Sequence, residues 1–306
     1  MFTKNILLLL ILPILTYAIN INNYHEIFKC KKENNTTTVA IREFEVNSTK
    51  CYLTLNPNTL DTKIIKDYNF TQSCTNELNS TRYIKLLDKS ISNKAHPLQN
   101  DGITQASSGT YLSTDLCPSS KKGFEHRLYS QVIKSFKNPV PITLFITSKW
   151  IQSHQEELNT LKSWQADGNL SITWGNHTAL HIYHPKAPLE KNFVLSPEEN
   201  LTNDILSLEI SLIQEDITPS VFFRFPGLVS SKEAIKEVKR LGLITIGSKS
   251  WLAIKPNLHD GSIILTHGNK NEPKGVDILL KLIKDGNITH LNDIKEINLD
   301  ILEKKE

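Results

Sequence analysis

Apolar and polar residues change rhythm near position 109 of the chain. Beyond it, short apolar runs alternate with stretches in which apolar residues recur every three to four positions, the periodicities of strand and helix. Residues 110–115 read as a strand, and residues 122–136 as a helix carrying Leu128, Val132 and Phe136 on one face. Strands follow over 141–147 and 169–174, separated by a helix over 149–165. Ser196-Pro197-Glu198-Glu199 combines a capping box with proline at the first helical position and predicts a helix from there to about 215. After a strand over 220–225, Ser230 and Glu233 frame a second capping box whose helix stops at Gly242. Strands over 243–247 and 262–267 and a helix over 275–284 complete the series. Such alternation predicts an α/β fold, a parallel sheet covered by helices and either open or closed into a barrel. Working side chains in these folds gather at the carboxyl ends of strands. Asp115, His177, Arg224 and His267 each fall at or just after such an end.

The chain ahead of this region reads differently. Lys4, the apolar run over residues 6–15 and Thr16-Tyr17-Ala18 form a signal-peptide pattern over residues 1–18, cut after Ala18. The run falls short of the ~20 residues needed to span a bilayer. Later segments are less apolar still, so the expectation is export to the periplasm or beyond the cell, with no stable membrane insertion after cleavage. Residues 19–105 read as a small cysteine-containing, β-rich module with strands over 38–44 and 51–55, then a linker over 93–108 rich in Ser, Asn, Gln, Gly and Pro. The barrel is assigned to residues 106–290. Residues 291–306 form a C-terminal tail whose mixed charges predict a solvated helix or frayed end.

Composition narrows the function classes. With 306 residues, 39% hydrophobic and 22% charged, the chain has the balance of a soluble globular protein. A net charge of +3 builds no broad basic field, which argues against a nucleic-acid partner. Export makes Cys30, Cys51, Cys74 and Cys117 disulfide candidates, with all three pairings open. No Cys-x-x-Cys spacing supports a zinc knuckle.

Candidate chemistry centres on His177 and His181. On a helical turn this four-residue spacing puts both imidazoles on one face, able to hold one divalent metal. Asp115 is the natural third ligand. Of the tryptophans Trp150, Trp164, Trp174 and Trp251, most are expected in the core, the usual place for that side chain. The loop over 269–274, after His267, reads as a gate over the site or a plain connection.

Five segments occur in order over residues 109–286: Ser113-Thr114-Asp115-Leu116-Cys117-Pro118-Ser119, Asn176-His177-Thr178-Ala179-Leu180-His181, Phe223-Arg224-Phe225-Pro226-Gly227, Ser250-Trp251 and Ile263-Ile264-Leu265-Thr266-His267-Gly268. Together they resemble the motifs of the polysaccharide deacetylase superfamily, which includes chitin and peptidoglycan deacetylases and is defined by a NodB-homology domain. The resemblance implies a distorted (β/α) barrel with fewer than eight complete units. It implies one divalent metal, usually zinc, held by His177, His181 and Asp115. Asp115 also takes the family's base position, Arg224 orients that base, and His267 protonates the departing amine. Trp251 and Pro226 are the implied substrate contacts, and a carbohydrate the implied partner. Two positions depart from the family: its second Asp is Leu116 here, and its fourth-motif Asp, which tunes the acid histidine, is Ser250. Cys117 is a replacement thiolate ligand or, the reading preferred from sequence, half of a disulfide.

The function expected is an exported, metal-dependent hydrolase that removes N-acetyl groups from a polysaccharide or peptidoglycan-like glycan. The alternatives are a glycan-binding pseudoenzyme with impaired catalysis and a deacylase or esterase of another acylated substrate. The leader makes a direct prediction. N-terminal sequencing of the exported protein should begin at Ile19, and a mature chain that still carries Met1 would exclude cleavage.

Overall fold

In the computed structural model, which describes residues 19–299 except 34–35, 71, 75 and 92–97, two sheets close on each other. The expected signal peptide and the last residues of the tail lie outside the described residues. The first sheet is antiparallel and contains β1 (Ile21–Glu33), β2 (Thr36–Val46), β3 (Thr49–Leu55), β4 (Thr62–Lys66) and β5 (Gln72–Ser73), in the order β4-β3-β2-β1-β5. Strands β2 and β3 contain the two strands read from sequence. β1 escaped that reading because register shifts between Asn22 and His25 and between Glu26 and Lys29 break its alternation. A disulfide joins Cys30 to Cys74, tying β1 to β5, while Cys51 and Cys117 are buried free thiols. The disulfide expected at Cys117 is therefore corrected: that residue stands just past a barrel strand, among histidines.

Helix α1 (Arg82–Lys89) and strand β6 (Leu98–Gln99) lead into β7 (Thr110–Leu116), β8 (Val140–Ile146), β9 (Leu170–Asn176), β10 (Phe222–Phe223), β11 (Val229–Ser230), β12 (Ile244–Thr245), β13 (Ser250–Trp251) and β14 (Ser262–His267). Apart from β11, which pairs with β6, the strands from β7 onward form one parallel sheet of seven in the order β12-β10-β9-β8-β7-β14-β13. The sheet curls into a half-barrel with β12 and β13 as its open edges. Helices α2 (His126–Ser135), α3 (Ser148–Ser153), α4 (Gln155–Ala166), α5 (Leu201–Gln214), α6 (Lys232–Arg240) and α7 (Pro273–Lys284) fill the connections. The expected distorted α/β barrel with an N-terminal β-rich unit is present.

Four local readings change. The helix expected over 149–165 is two, α3 and α4, broken at His154. Ser196 begins a turn; α5 starts only at Leu201, where the Asn200 side chain accepts from the Asn203 amide. The stretch read as a linker is, from residue 98 on, attached to the barrel: Asn100 N donates to Leu228 O, Ile103 N to Thr245 O and Ala106 N to Gly261 O, and Asp101, Ile103 and Ala106 are buried. Small polar residues met loop criteria there because backbone groups, not apolar side chains, make the attachment. The tail is likewise anchored as far as residue 299. Ile294 and Ile297 are buried, and the Arg82 guanidinium donates to the carbonyls of Lys295 and Ile297.

The two sheets share a core. Val39, Ile41, Phe44 and Leu53 of the first sheet pack in one apolar cluster with Phe145, Phe222, Ile244 and Ile263 of the barrel. A buried ion pair crosses the same seam. Arg42 Nε lies 2.7 Å from Glu209 Oε2 and its Nη2 2.9 Å from Oε1, Tyr24 Oη donates to Oε2 at 2.9 Å, and Arg42 Nη1 donates to the carbonyl of Leu241. Removing one partner leaves the other charge dry and uncompensated, at a cost of about 3–5 kcal/mol. Arg42→Ala should therefore lower the midpoint of a single cooperative thermal transition, and Arg42→Met with Glu209→Leu should recover most of the loss. Separate melting of the two sheets would contradict the shared core.

Candidate active site

Strand alternation explains the first motif. Leu116 turns into the apolar core beneath the helices, whereas Asp115 and Cys117, one residue either side, line a cleft of about 700 Å³ at the carboxyl end of the sheet. His177 and His181 from the segment after β9, Trp251 of β13 and His267 of β14 line the same cleft. Four of the residues singled out in sequence for acid, base or metal work thus meet in one place.

Arg224 lies behind them, fully buried. Its Nη1 donates to Asp115 Oδ1 at 2.7 Å, its Nη2 to Ser113 Oγ at 2.8 Å, and its guanidinium sits 4.1 Å from the centre of the Phe145 ring. Gly175 leaves room for that ring, since a Cβ there would come within 2.6 Å of Phe145. Burial works against the Asp115 carboxylate, but Arg224, with His177 and His267, holds it below the ordinary carboxylate range. Its second oxygen, Oδ2, stands 3.7 Å from His177 Nε2.

His177 and His181 do not share a helical face. The segment is irregular, with Thr178 and His181 at φ of +67° and +48°, and the rings approach to 5.1 Å by a bend of the loop. Polar side chains hold that bend. Asn176 Oδ1 accepts from Thr178 N, Thr178 Oγ1 accepts from His181 N, and Asp204 Oδ1 accepts from the amides of Ala179 and Leu180. His177 Nδ1 donates to the Arg224 carbonyl at 2.8 Å, which fixes the tautomer and presents Nε2 to the cleft.

The donor set suits a metal. Ligand atoms of Cys117, His177 and His181 all lie within 4.8 Å of one another, with Cys117 Sγ 3.6 Å from His177 Nε2. Nε2 of His181 is buried without a hydrogen-bond partner, as an imidazole nitrogen awaiting a cation would be. Although burial opposes ionisation, His181 and His177 draw the Cys117 thiol well below its ordinary value, toward the thiolate that binds metals. Two imidazoles and one thiolate fit zinc, with a position left for water. Asp115 is not in this group; its nearer tie is to Arg224.

Three contributors have no sequence signal of their own; Cys117 was named in the first motif, as a replacement thiolate ligand or half of a disulfide. Asn269, buried behind it, donates from Nδ2 to the Cys117 carbonyl at 2.8 Å. Asp204, in the first turn of α5, was not singled out in the sequence. Glu272, in the loop read as gate or connection, accepts from His267 Nδ1 at 2.8 Å and from Trp251 Nε1 at 2.7 Å. Burial disfavours the His267 cation, but Cys117 and Glu272 push its pKa up to about 10. Pro226 is buried and does not line the cleft; its neighbours Gly227 and Leu228 do. Gly227, at φ +60°, admits the Phe193 ring, which would lie 2.5 Å from a Cβ. Of the tryptophans, Trp150 and Trp174 are in the core and Trp251 lines the cleft.

Comparison with known proteins returns likenesses on both sheets. Residues 22–92 match the family described as the RP012 protein N-terminal domain. The fold is similar to a family 4 carbohydrate esterase from Bacillus anthracis at 20% identity, over 70% of this chain and 90% of that one, with a TM-score of 0.46. It is similar to Bacillus subtilis PdaA, a family 4 carbohydrate esterase, at 18% identity over 74% and 91% of the two chains, with a TM-score of 0.44. The chitin deacetylase from the fungal pathogen Colletotrichum lindemuthianum shows 18% identity over 65% and 92%, with a TM-score of 0.43.

The clamp on the histidine segment makes a pH prediction. Glu199 faces Asp204, and burial together with that like charge raises its pKa to about 8 from an ordinary 4.5. A carboxyl whose folded pKa is raised contributes stability below its unfolded value and loses it as pH climbs through the folded one. Glu199→Gln should match the wild-type melting temperature near pH 4.5 and exceed it by roughly 3–6 °C at pH 8. A constant difference across that window would refute the assignment.

Proposed function

We propose that the protein removes N-acetyl groups from a carbohydrate outside the cytoplasm, using one divalent metal, zinc first among candidates, held by Cys117, His177 and His181. The single observation that supports this reading most is the arrangement of the cleft. A thiolate–imidazole donor set with an unpartnered His181 Nε2 stands beside an Arg224-bound carboxylate and a carboxylate-bound His267. The motif resemblance supplies the reaction class.

When bound, the metal would act as a Lewis acid on the acetamide carbonyl and make a water molecule more acidic. Asp115 takes the proton of that water through Oδ2, while Arg224 keeps Oδ1 and therefore the carboxylate's orientation. His267, whose Nδ1 faces Glu272, turns Nε2 to the substrate and gives its proton to the leaving nitrogen as the carbon–nitrogen bond breaks. Acetate and a free amine result, and the proton taken by Asp115 returns His267 to its starting state through solvent. Cys117 explains how a chain with Leu116 in the second Asp position can still hold a cation. A thiolate carries the same single negative charge as the carboxylate it would replace.

Purified mature protein should release acetate from chitin oligosaccharides or peptidoglycan, lose that activity to a chelator and regain it with zinc. His177→Ala, His181→Ala and Cys117→Ser should each lower bound zinc. Asp115→Asn should keep zinc and lose about 10²–10⁴-fold in turnover. Loss of zinc in Asp115→Asn would make Asp115 a ligand. Wild-type protein that binds a glycan but neither zinc nor turns over would establish the pseudoenzyme, and release from O-acyl substrates alone would establish the esterase.

A further inference from the structure

The histidine that delivers the proton needs a partner on its other ring nitrogen, and the motif position that should supply one is Ser250. That serine is turned elsewhere. Its Oγ donates to the Asn257 carbonyl at 2.6 Å and lies 3.0 Å from Ser262 Oγ. Glu272 stands in its place in space though not in sequence. It comes from the loop after β14 and occupies the position before Pro273, the first residue of α7, so its backbone is fixed by the start of a helix. One oxygen, Oε2, accepts both from His267 Nδ1 at 2.8 Å and from the Trp251 indole at 2.7 Å. The two rings are 5.7 Å apart, tilted by 40°. Trp251 lines the catalytic cleft and also an adjoining hollow bounded by Leu228, Lys249 and Ile254, so its face lies between two places where sugar rings could sit.

We infer that Glu272 is the positioning residue of His267, replacing the carboxylate the fourth motif lacks, and that by binding Trp251 through the same oxygen it fixes the proton donor relative to the sugar platform. This inference rests on the deacetylase reading above. Glu272 itself moves no proton. It accepts the Nδ1–H bond throughout, so that His267 Nε2 is the atom that releases a proton to the departing amine and recovers one afterwards. Because one oxygen serves both donors, a shift of the indole when a sugar stacks on it alters the geometry at His267. Substrate binding and proton delivery are thereby coupled.

The test uses two leaving groups. Amide cleavage requires protonation of the amine, whereas 4-nitrophenolate departs from 4-nitrophenyl acetate without it. In the zinc-loaded protein, Glu272→Gln should lower kcat on an N-acetylchitooligosaccharide about 10²-fold, keep KM within about 3-fold, and leave 4-nitrophenyl acetate hydrolysis within about 3-fold of wild type. Zinc content should not change. Trp251→Phe, which removes the indole donor, should mainly raise KM. Parallel loss on amide and ester would show a general structural role and overturn the proposal, as would an unaltered amide kcat. Wild-type protein inactive on every N-acetyl glycan would refute the deacetylase reading instead. In that event histidine side-chain ¹⁵N NMR still decides the local claim. His267 should carry a hydrogen-bonded Nδ1–H in wild type that is lost in Glu272→Gln, and a His267 protonated only at Nε2 would sink it.

Discussion

A guanidinium removed from water must find partners for its donors, and Arg224 finds them on β7 and just past β12. Its side chain binds Asp115 and Ser113 on β7 and approaches the carbonyls of Ile246 and Gly247 just past β12; its own carbonyl receives His177, and its amide donates to Asn176 at the end of β9. The cost of leaving such a charge unpaired in the interior is several kcal/mol, on the order of 3–5. That penalty makes the arrangement of the surrounding strand ends close to obligatory. Asp115 is placed by that buried cation and His177 by the backbone carbonyl of the same residue, which explains why side chains from separate segments converge without a continuous helix or turn to link them.

The long central strands were legible in the sequence. β7, β8, β9 and β14 are apolar runs with clear ends, and their alternation with helices predicted a parallel sheet, open or closed, with Asp115, His177 and His267 at its strand ends; the barrel came from the resemblance. The short strands β10 and β12 were over-read, because each pairs for only two residues although its apolar run is longer, and β13 was not read as a strand. Apolarity there reports burial, which a buried loop shares with a strand. The loop residues of the site were illegible for a different reason. Glu272, Asn269 and Asp204 have polar side chains in polar contexts, and only tertiary contact assigns them partners. The spacing of His177 and His181 suggested a helix that is absent, yet the pair still meets, since a bent loop with two residues at positive φ brings the rings to the same separation.

The first motif shows how much rides on strand parity. A substitution at position 116 alters a side chain that faces the core, where leucine contributes apolar burial, on the order of 1.5–3 kcal/mol. The next residue faces the cleft again. Side chains at positions 115 and 117 therefore reach the cleft and that at 116 does not, provided the backbone leaving the strand is held. Asn269 holds it, through its hydrogen bond to the Cys117 carbonyl.

The seam between the sheets governs the order in which the chain can finish folding. Arg42 and Glu209 are 167 residues apart, and the apolar face of the first sheet is completed by residues as late as Ile263. A chain emerging from its amino terminus must carry an unpaired arginine and an open apolar surface until most of the barrel has appeared. Contacts of such range slow folding and prolong the exposure of sticky intermediates. Such a chain cannot close early, and its amino-terminal half stays open until the last barrel strands have been made.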